Sequence, residues 1–194
     1  LGSSEDIISD MGNKSNAKKT MVEAGVPVVP GSDDILSSPQ DAKIKAEEIG
    51  LPIMLKASSG GGGRGMRFVK EINEIENAYK SASQEALTAF GDSNLYIEKF
   101  IENPRHIEVQ ILSDQNGNHA HLGERECSIQ RRHQKLIEES PSPIVDQITR
   151  EKIGDAAIRA AKAVNYVGVG TIEFLMDTNK DFYFMEMNTR IQVE

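Results

Sequence analysis

At 194 residues the chain can form one ordinary domain or two small ones, and 38% hydrophobic residues suffice for a core. Its 22 basic residues stand against 30 acidic ones, net −8, which argues against a nucleic-acid surface. The single cysteine, Cys127, excludes an internal disulfide framework and fits a reducing compartment, so the expected location is cytoplasmic, or mitochondrial in a eukaryote. No run approaches the roughly 20 apolar residues of a membrane span, and no signal peptide is visible.

Residues 14–24 read as a helix stopped by Gly25, and Val26–Gly31 as a proline-punctuated linker. Ser38-Pro39 is a cap followed by proline at the first helical position, and that helix runs to Gly50. Leu51–Ser58 is a short apolar strand, followed by a tetraglycine and a second strand, Gly65–Val69. Residues 71–90 form a long helix closed by Gly91, and Leu95–Ile101 reads as a strand. Ile107, Val109 and Ile111 alternate with polar neighbours, predicting a half-buried strand. Asn116-Gly117 is a hairpin turn signal that pairs Glu108 with Arg125. Ile153, Ala157, Ala160 and Val164 stripe a helix over 149–165. Thr171–Asp177 and Asp181–Asn188 are two strands joined by a polar turn. A β-α-β-β-α-β pattern fills roughly residues 28–100 and a second αβ unit fills 101–194.

The final hairpin carries the densest chemistry. With its turn centred on Asn179-Lys180, Glu173 faces Glu186, and Asn188 points to the same face. Facing carboxylates repel, and two of them with an amide oxygen suit a hard cation such as Mg²⁺. Two unrelated surface glutamates are the alternative. Arg190, Gln192 and Glu194 follow at alternating positions: a guanidinium that matches a small oxyanion, and a carboxylate able to take a proton. The glycines at 60–63 and Gly65 sit between strands and lack the Lys-Ser/Thr of a Walker A loop. Their bare backbone suits close approach to phosphates, with Lys56 within reach, although a flexible hairpin tip is the competing reading. Arg131, Arg132 and Lys135 read equally as a solvated charge run, and Cys127 as an ordinary strand residue.

KASSGGGGRGM, ENPRHIEVQ, ERECSIQRRHQK and EMNTRIQVE, in this order and spacing, resemble the biotin carboxylases of the ATP-grasp superfamily over nearly the whole chain. The resemblance implies an α/β (α+β) ATP-grasp fold of two αβ subdomains with a mobile glycine-rich lid, incomplete at both ends. Residues 1–27 would be a helical lead-in, 28–100 the lid and 101–194 the main ATP-binding half. The family uses Mg-ATP (or Mn²⁺) and bicarbonate to carboxylate biotin on its carrier protein. By resemblance, Lys14, Lys56 and Gly61, Gly62 and Gly63 contact phosphates, and Glu98 with backbone groups of Lys99 and Ile101 recognises adenine. His106, Gln130 and His133 are further nucleotide contacts. Glu173, Glu186 and Asn188 face the metal. Arg190, Gln192 and Val193 cradle bicarbonate, and Glu194 is the base that deprotonates it. Expected partners are the biotin carboxyl carrier protein and a carboxyltransferase, in a homodimeric parent of bacterial acetyl-CoA carboxylase type. The alternatives are an ATP-grasp ligase of carbamoyl-phosphate synthetase type, or a nucleotide-binding module without turnover.

Overall fold

A computed structural model describes residues 11, 14–32, 34–58, 65–131 and 134–192. Over these residues the chain divides into two compact units, Val29–Ile101 on one side and Leu1–Val28 with Glu102–Glu194 on the other. Each has its own apolar core. Among the described residues, no helix is long and apolar enough to cross a membrane.

The smaller unit holds helix α2 (Pro39–Ile49), strands β1 (Ile53–Ala57) and β2 (Met66–Val69), helix α3 (Ile75–Phe90) and strand β3 (Leu95–Lys99). Ser38 caps α2 by accepting from the Asp41 N–H, and Pro39 opens the helix, as the sequence predicts. The strands form an antiparallel sheet in the order β2-β1-β3. Apolar side chains of both helices, including Ala42, Ala46, Ala82 and Ala86, pack with Ile53, Leu55, Leu95 and Ile97. Small alanines let the helices approach the strands closely.

The larger unit begins with α1 (Lys14–Glu23), which ends before Gly25 at φ +67°. Strands β4 (Arg105–Ser113), β5 (His119–Arg131) and β6 (Gln134–Glu139), helix α4 (Gln147–Ala163), and strands β7 (Gly168–Met176) and β8 (Phe182–Asn188) follow. The sheet order is β6-β5-β4-β7-β8, antiparallel throughout. Asp146 caps α4, so that helix starts two residues earlier than its apolar stripe suggests. Ile153, Ala156, Ala157 and Ala160 are buried in one core with Ile107, Val109, Ile172 and Phe174.

Two expectations change. Strand β4 is buried on both faces near its middle: Ile107 and Val109 lie in the core, and Glu108 is 0% exposed. Alternation suggests a wet second face, but Arg125 and Lys135 cover Glu108 with their side chains. The register of both hairpins also differs near the turn. Ser113 pairs with His119 and Ile111 with His121, which centres the first turn on Asn116, with Gly117 at φ +81°. Met176 pairs with Phe182 and Phe174 with Phe184, which centres the second on Asn179, with Lys180 at φ +68°. A three-residue loop ending in a left-handed residue takes the place of the two-residue turn.

Each offset is then undone by a bulge. On β5 the register shifts between the pairings of Ile111 and Val109, where Gly123 takes φ +94°. On β8 it shifts between the pairings of Phe174 and Glu173, with Met185 as the extra residue. Beyond the bulges Glu108 faces Arg125, and Glu173 faces Glu186. A slip of one residue turns every side chain to the other face, so these bulges decide which charges meet.

Candidate functional site

Four strands contribute one residue each to a row across the larger sheet. Arg125 on β5 faces Glu108 on β4, Glu108 faces Glu173 on β7, and Glu173 faces Glu186 on β8. Three adjacent carboxylates repel one another unless cations intervene. Lys135 on β6 does so, with Nζ bonded to Glu108 Oε2 and lying 3.1 Å from Glu173 Oε1. Arg125 Nε donates to the other Glu108 oxygen. Burial works against the Lys135 ammonium, but the Glu108 hydrogen bond and the two carboxylate charges outweigh it and hold the lysine above its ordinary range.

Glu173 is 3% exposed and has three donors. Asn188 Nδ2 donates to Oε1 at 2.7 Å, Lys135 reaches the same oxygen, and His106 Nε2 lies 2.6 Å from Oε2. Burial pushes the Glu173 carboxyl up, and the His106 bond with the Lys135 charge brings it net below the usual carboxylate range. The Gln130 amide nitrogen donates to the Cys127 carbonyl at 2.8 Å and also lies 2.8 Å from His106 Nδ1. That network assigns Nδ1 as an acceptor and leaves the His106 proton on Nε2, directed at Glu173.

His106, Gln130, Glu173 and Asn188 are thus joined by hydrogen bonds, and register places Glu186 opposite Glu173. Gln192 Oε1 accepts from Thr171 Oγ1 at 2.6 Å, and Asn188 Nδ2 lies 3.3 Å from the same hydroxyl. Arg190 is exposed. Val193, Glu194, His133 and Gly61, Gly62 and Gly63 lie outside the described residues, as does the side chain of Lys14. In the smaller unit Lys56 and Glu98 form an ion pair at 2.5 Å. The Lys99 N–H donates to the Pro30 carbonyl at 2.7 Å, its ammonium donates to the carbonyls of Gly50 and Leu51, and Ile101 is buried.

Sequence reasoning missed the working part of the RRHQK segment. Lys135 is not a solvated charge: its side chain is only 17% exposed. The hairpin that carries it, β5 to β6, has no Gly, Pro or Asn to mark its turn. Glu108 was legible only as a cross-strand partner. Cys127 is a buried strand residue; burial, with the Glu108 charge adding, pushes its thiol up to about 12.

The donor set fits a hard divalent ion. Glu173 and Glu186 are directly opposed oxygen donors on neighbouring strands, and the Asn188 amide already contacts the first. Glu108, Glu173 and Glu186 outnumber the cations Arg125 and Lys135, leaving excess negative charge for a cation to offset.

Residues 13–194 match the sequence model of the family described as carbamoyl-phosphate synthase L chain, ATP binding domain, and the chain belongs to that family. It is similar to the biotin carboxylase of Nostoc sp., 57% identical over all 194 residues, and to biotin carboxylase 1 of Bacillus subtilis, 56% identical over the whole chain. It spans 43% of the length of each of these relatives. Among solved structures, it resembles the biotin carboxylase domain of a thermophilic 2-oxoglutarate carboxylase bound to bicarbonate. The TM-score is 0.92 at 48% identity, over the whole of this chain and 42% of that one. A biotin carboxylase from Campylobacter jejuni matches with TM-score 0.81 at 58% identity, over the whole chain and 43% of its own. The fold is therefore that of ATP-grasp domains, as the motifs imply.

Proposed function

We propose that this chain is the ATP-grasp core of a biotin carboxylase, serving ATP- and bicarbonate-dependent carboxylation of biotin on its carrier protein. The observation that carries this reading is the opposed pair Glu173 and Glu186, with Asn188 and Lys135 bonded to the first. Relatives solved with ADP, with MgADP and with bicarbonate support the same chemistry. Residues 28–100 are read as the lid subdomain, 101–194 as the main ATP-binding half, and 1–27 as the lead-in.

Glu173, Glu186 and Asn188, the last through its amide oxygen, would hold Mg²⁺ or Mn²⁺. The bound ion neutralises phosphate charge, which carries much of phosphoryl transfer. Lys135 adds a fixed ammonium beside Glu173, and Lys56 offers a second for phosphate oxygens. For Lys56 to meet phosphate and Glu98 the adenine amino group, their ion pair must part. Lys14 and Gly61, Gly62 and Gly63 are assigned to phosphate, Lys99 and Ile101 to adenine through backbone atoms, and His106, Gln130 and His133 to the nucleotide.

Arg190 is assigned to bicarbonate because a planar guanidinium can hold a small oxyanion in a bidentate way. The Gln192 amide oxygen is engaged by Thr171, so its NH₂ group is what it offers an anion; the Val193 backbone is assigned to the same anion. Glu194 takes the bicarbonate proton. The freed oxygen attacks the γ-phosphorus as the bond to ADP breaks, giving carboxyphosphate; this splits into CO₂ and phosphate beside biotin, and the phosphate takes the N1′ proton as N1′ bonds to CO₂. Relatives named as a biotin carboxylase, a pyruvate carboxylase subunit and the biotin carboxylase domain of a 2-oxoglutarate carboxylase support a role that precedes the choice of final acceptor. The carrier protein and a carboxyltransferase are the implied partners, and the parent is read as a cytoplasmic homodimer.

Two measurements test this reading. Titration of the 194-residue chain with Mg-ATP by calorimetry should show binding that Glu173→Gln weakens by about tenfold or more. In a protein carrying this segment at the length of its relatives, ADP release should require bicarbonate and biotin, and Glu194→Gln or Arg190→Ala should abolish it. Use of ammonia in place of biotin would assign the carbamoyl-phosphate synthetase type instead. Binding without turnover would leave a nucleotide-binding module.

A further inference from the structure

The row of charges has an end that the proposed chemistry does not use. Among the described residues assigned to nucleotide, metal or bicarbonate, none bonds to Arg125, yet its guanidinium is tied in three directions. Nε bonds Glu108 Oε1, Nη2 donates to Gln110 Oε1 at 3.1 Å, and Nε lies 3.7 Å from Glu138. Gln110 in turn donates to the Gly170 carbonyl at 2.8 Å, so the arginine is anchored to β7 as well as β4. Its side chain is 18% exposed and Glu108 is fully buried.

We propose that Arg125 is a positioning residue: by holding one oxygen of Glu108, it sets where the Lys135 ammonium stands against Glu173. The inference rests on the reading of Glu173 and Lys135 given above. A carboxylate has two oxygens, and here each serves a different cation, Oε1 for Arg125 and Oε2 for Lys135. With Oε1 occupied, Glu108 takes only one contact from the lysine, whose ammonium remains within 3.1 Å of Glu173. Remove the guanidinium, and Glu108 is a buried carboxylate short of a donor. Its nearest remedy is to turn both oxygens to Lys135, which draws the ammonium toward β4 and off Glu173. The bulge at Gly123 is what makes this possible. In the register of the turn, Glu108 would face Glu124 and Arg125 would point to the opposite face of the sheet.

The test uses Arg125→Met, which keeps an apolar stem of similar length, and Arg125→Lys, which keeps the charge and safeguards folding. In a crystal structure of the 194-residue Arg125→Met chain, Lys135 Nζ should lie beyond about 4 Å from Glu173, the limit of an ion pair. An unchanged distance near 3.1 Å overturns the proposal. In the protein at the length of its relatives, Arg125→Met should lower kcat by about 10- to 100-fold while leaving the KM for ATP within about twofold. Millimolar guanidinium should restore part of that rate, and Arg125→Lys should fall between the variant and the wild type. A folded Arg125→Met enzyme with wild-type kcat overturns the proposal. An equal loss in kcat and in ATP binding does so too, because a general loosening of the fold predicts it. Absence of bicarbonate-dependent ADP release in the wild type would strike the functional reading alone, since the crystal distance still decides the role of Arg125.

Discussion

Replacing Lys135 with Met removes a cation shared by two carboxylates that are 0% and 3% exposed. Methionine fills the space of the lysine stem, so the loss is electrostatic. Two charge-assisted hydrogen bonds disappear, each worth about 1.5–3 kcal/mol. Breaking a buried ion pair from one side costs about 3–5 kcal/mol, because the abandoned carboxylates stay desolvated. Glu108 keeps Arg125 and Glu173 keeps His106 and Asn188, so the expected loss at pH 7 is about 3–4 kcal/mol. Urea denaturation followed by far-ultraviolet circular dichroism measures it. The pH dependence has a definite sign. The folded-state carboxyl of Glu173 is held below its ordinary range, so its contribution is complete above the unfolded value, about 4.3. It disappears as pH falls through the lower folded value. The penalty of Lys135→Met should therefore be constant near neutrality and shrink below about pH 4. A loss under about 1 kcal/mol at pH 7, the size of a solvated pair, would refute the reasoning. So would a penalty that grows toward acid pH.

Gly170→Ala should cost about 1–3 kcal/mol and weaken Mg²⁺-dependent nucleotide binding, both read by the same denaturation and calorimetry. A Cβ there would lie 2.5 Å from the Asn188 carbonyl oxygen and 2.6 Å from Tyr166 Oη, forcing β8 and Asn188 outward. Gly123→Ala meets no atom within 4 Å, so only its φ of +94° counts; a loss of about 1–2 kcal/mol is expected, and none at all would show that the bulge had rearranged. Ser38→Ala removes the cap of α2 and should lower the stability of the smaller unit by about 1 kcal/mol, seen as earlier hydrogen exchange in 39–49. Glu124 is bound by the Arg150 guanidinium through both oxygens; Glu124→Gln should cost about 2–4 kcal/mol at pH 7, and thermal denaturation should show the gap closing in acid.

The sequence by itself determined the local elements and the kind of chemistry. Ser38-Pro39, Gly25 and Gly91 mark helix ends through cap and backbone geometry, which depends on neighbours a few residues away. Alternation in the last two strands put Glu173, Glu186 and Asn188 on one face before any packing was known. Even so, the facing pairs were reached through two errors that cancel, a misjudged turn and an unforeseen bulge, in both hairpins. A bulge leaves little local signature, because the strand tolerates an extra residue wherever burial on the far side rewards the shift. What only the tertiary structure decided is which charges are buried together. Lys135 and Glu108 are 27 residues apart, and their contact depends on three strands lying side by side. Burial converts a charge run into a fixed ammonium, since a desolvated cation must stay with its carboxylates, whereas the same residues in water would hardly interact.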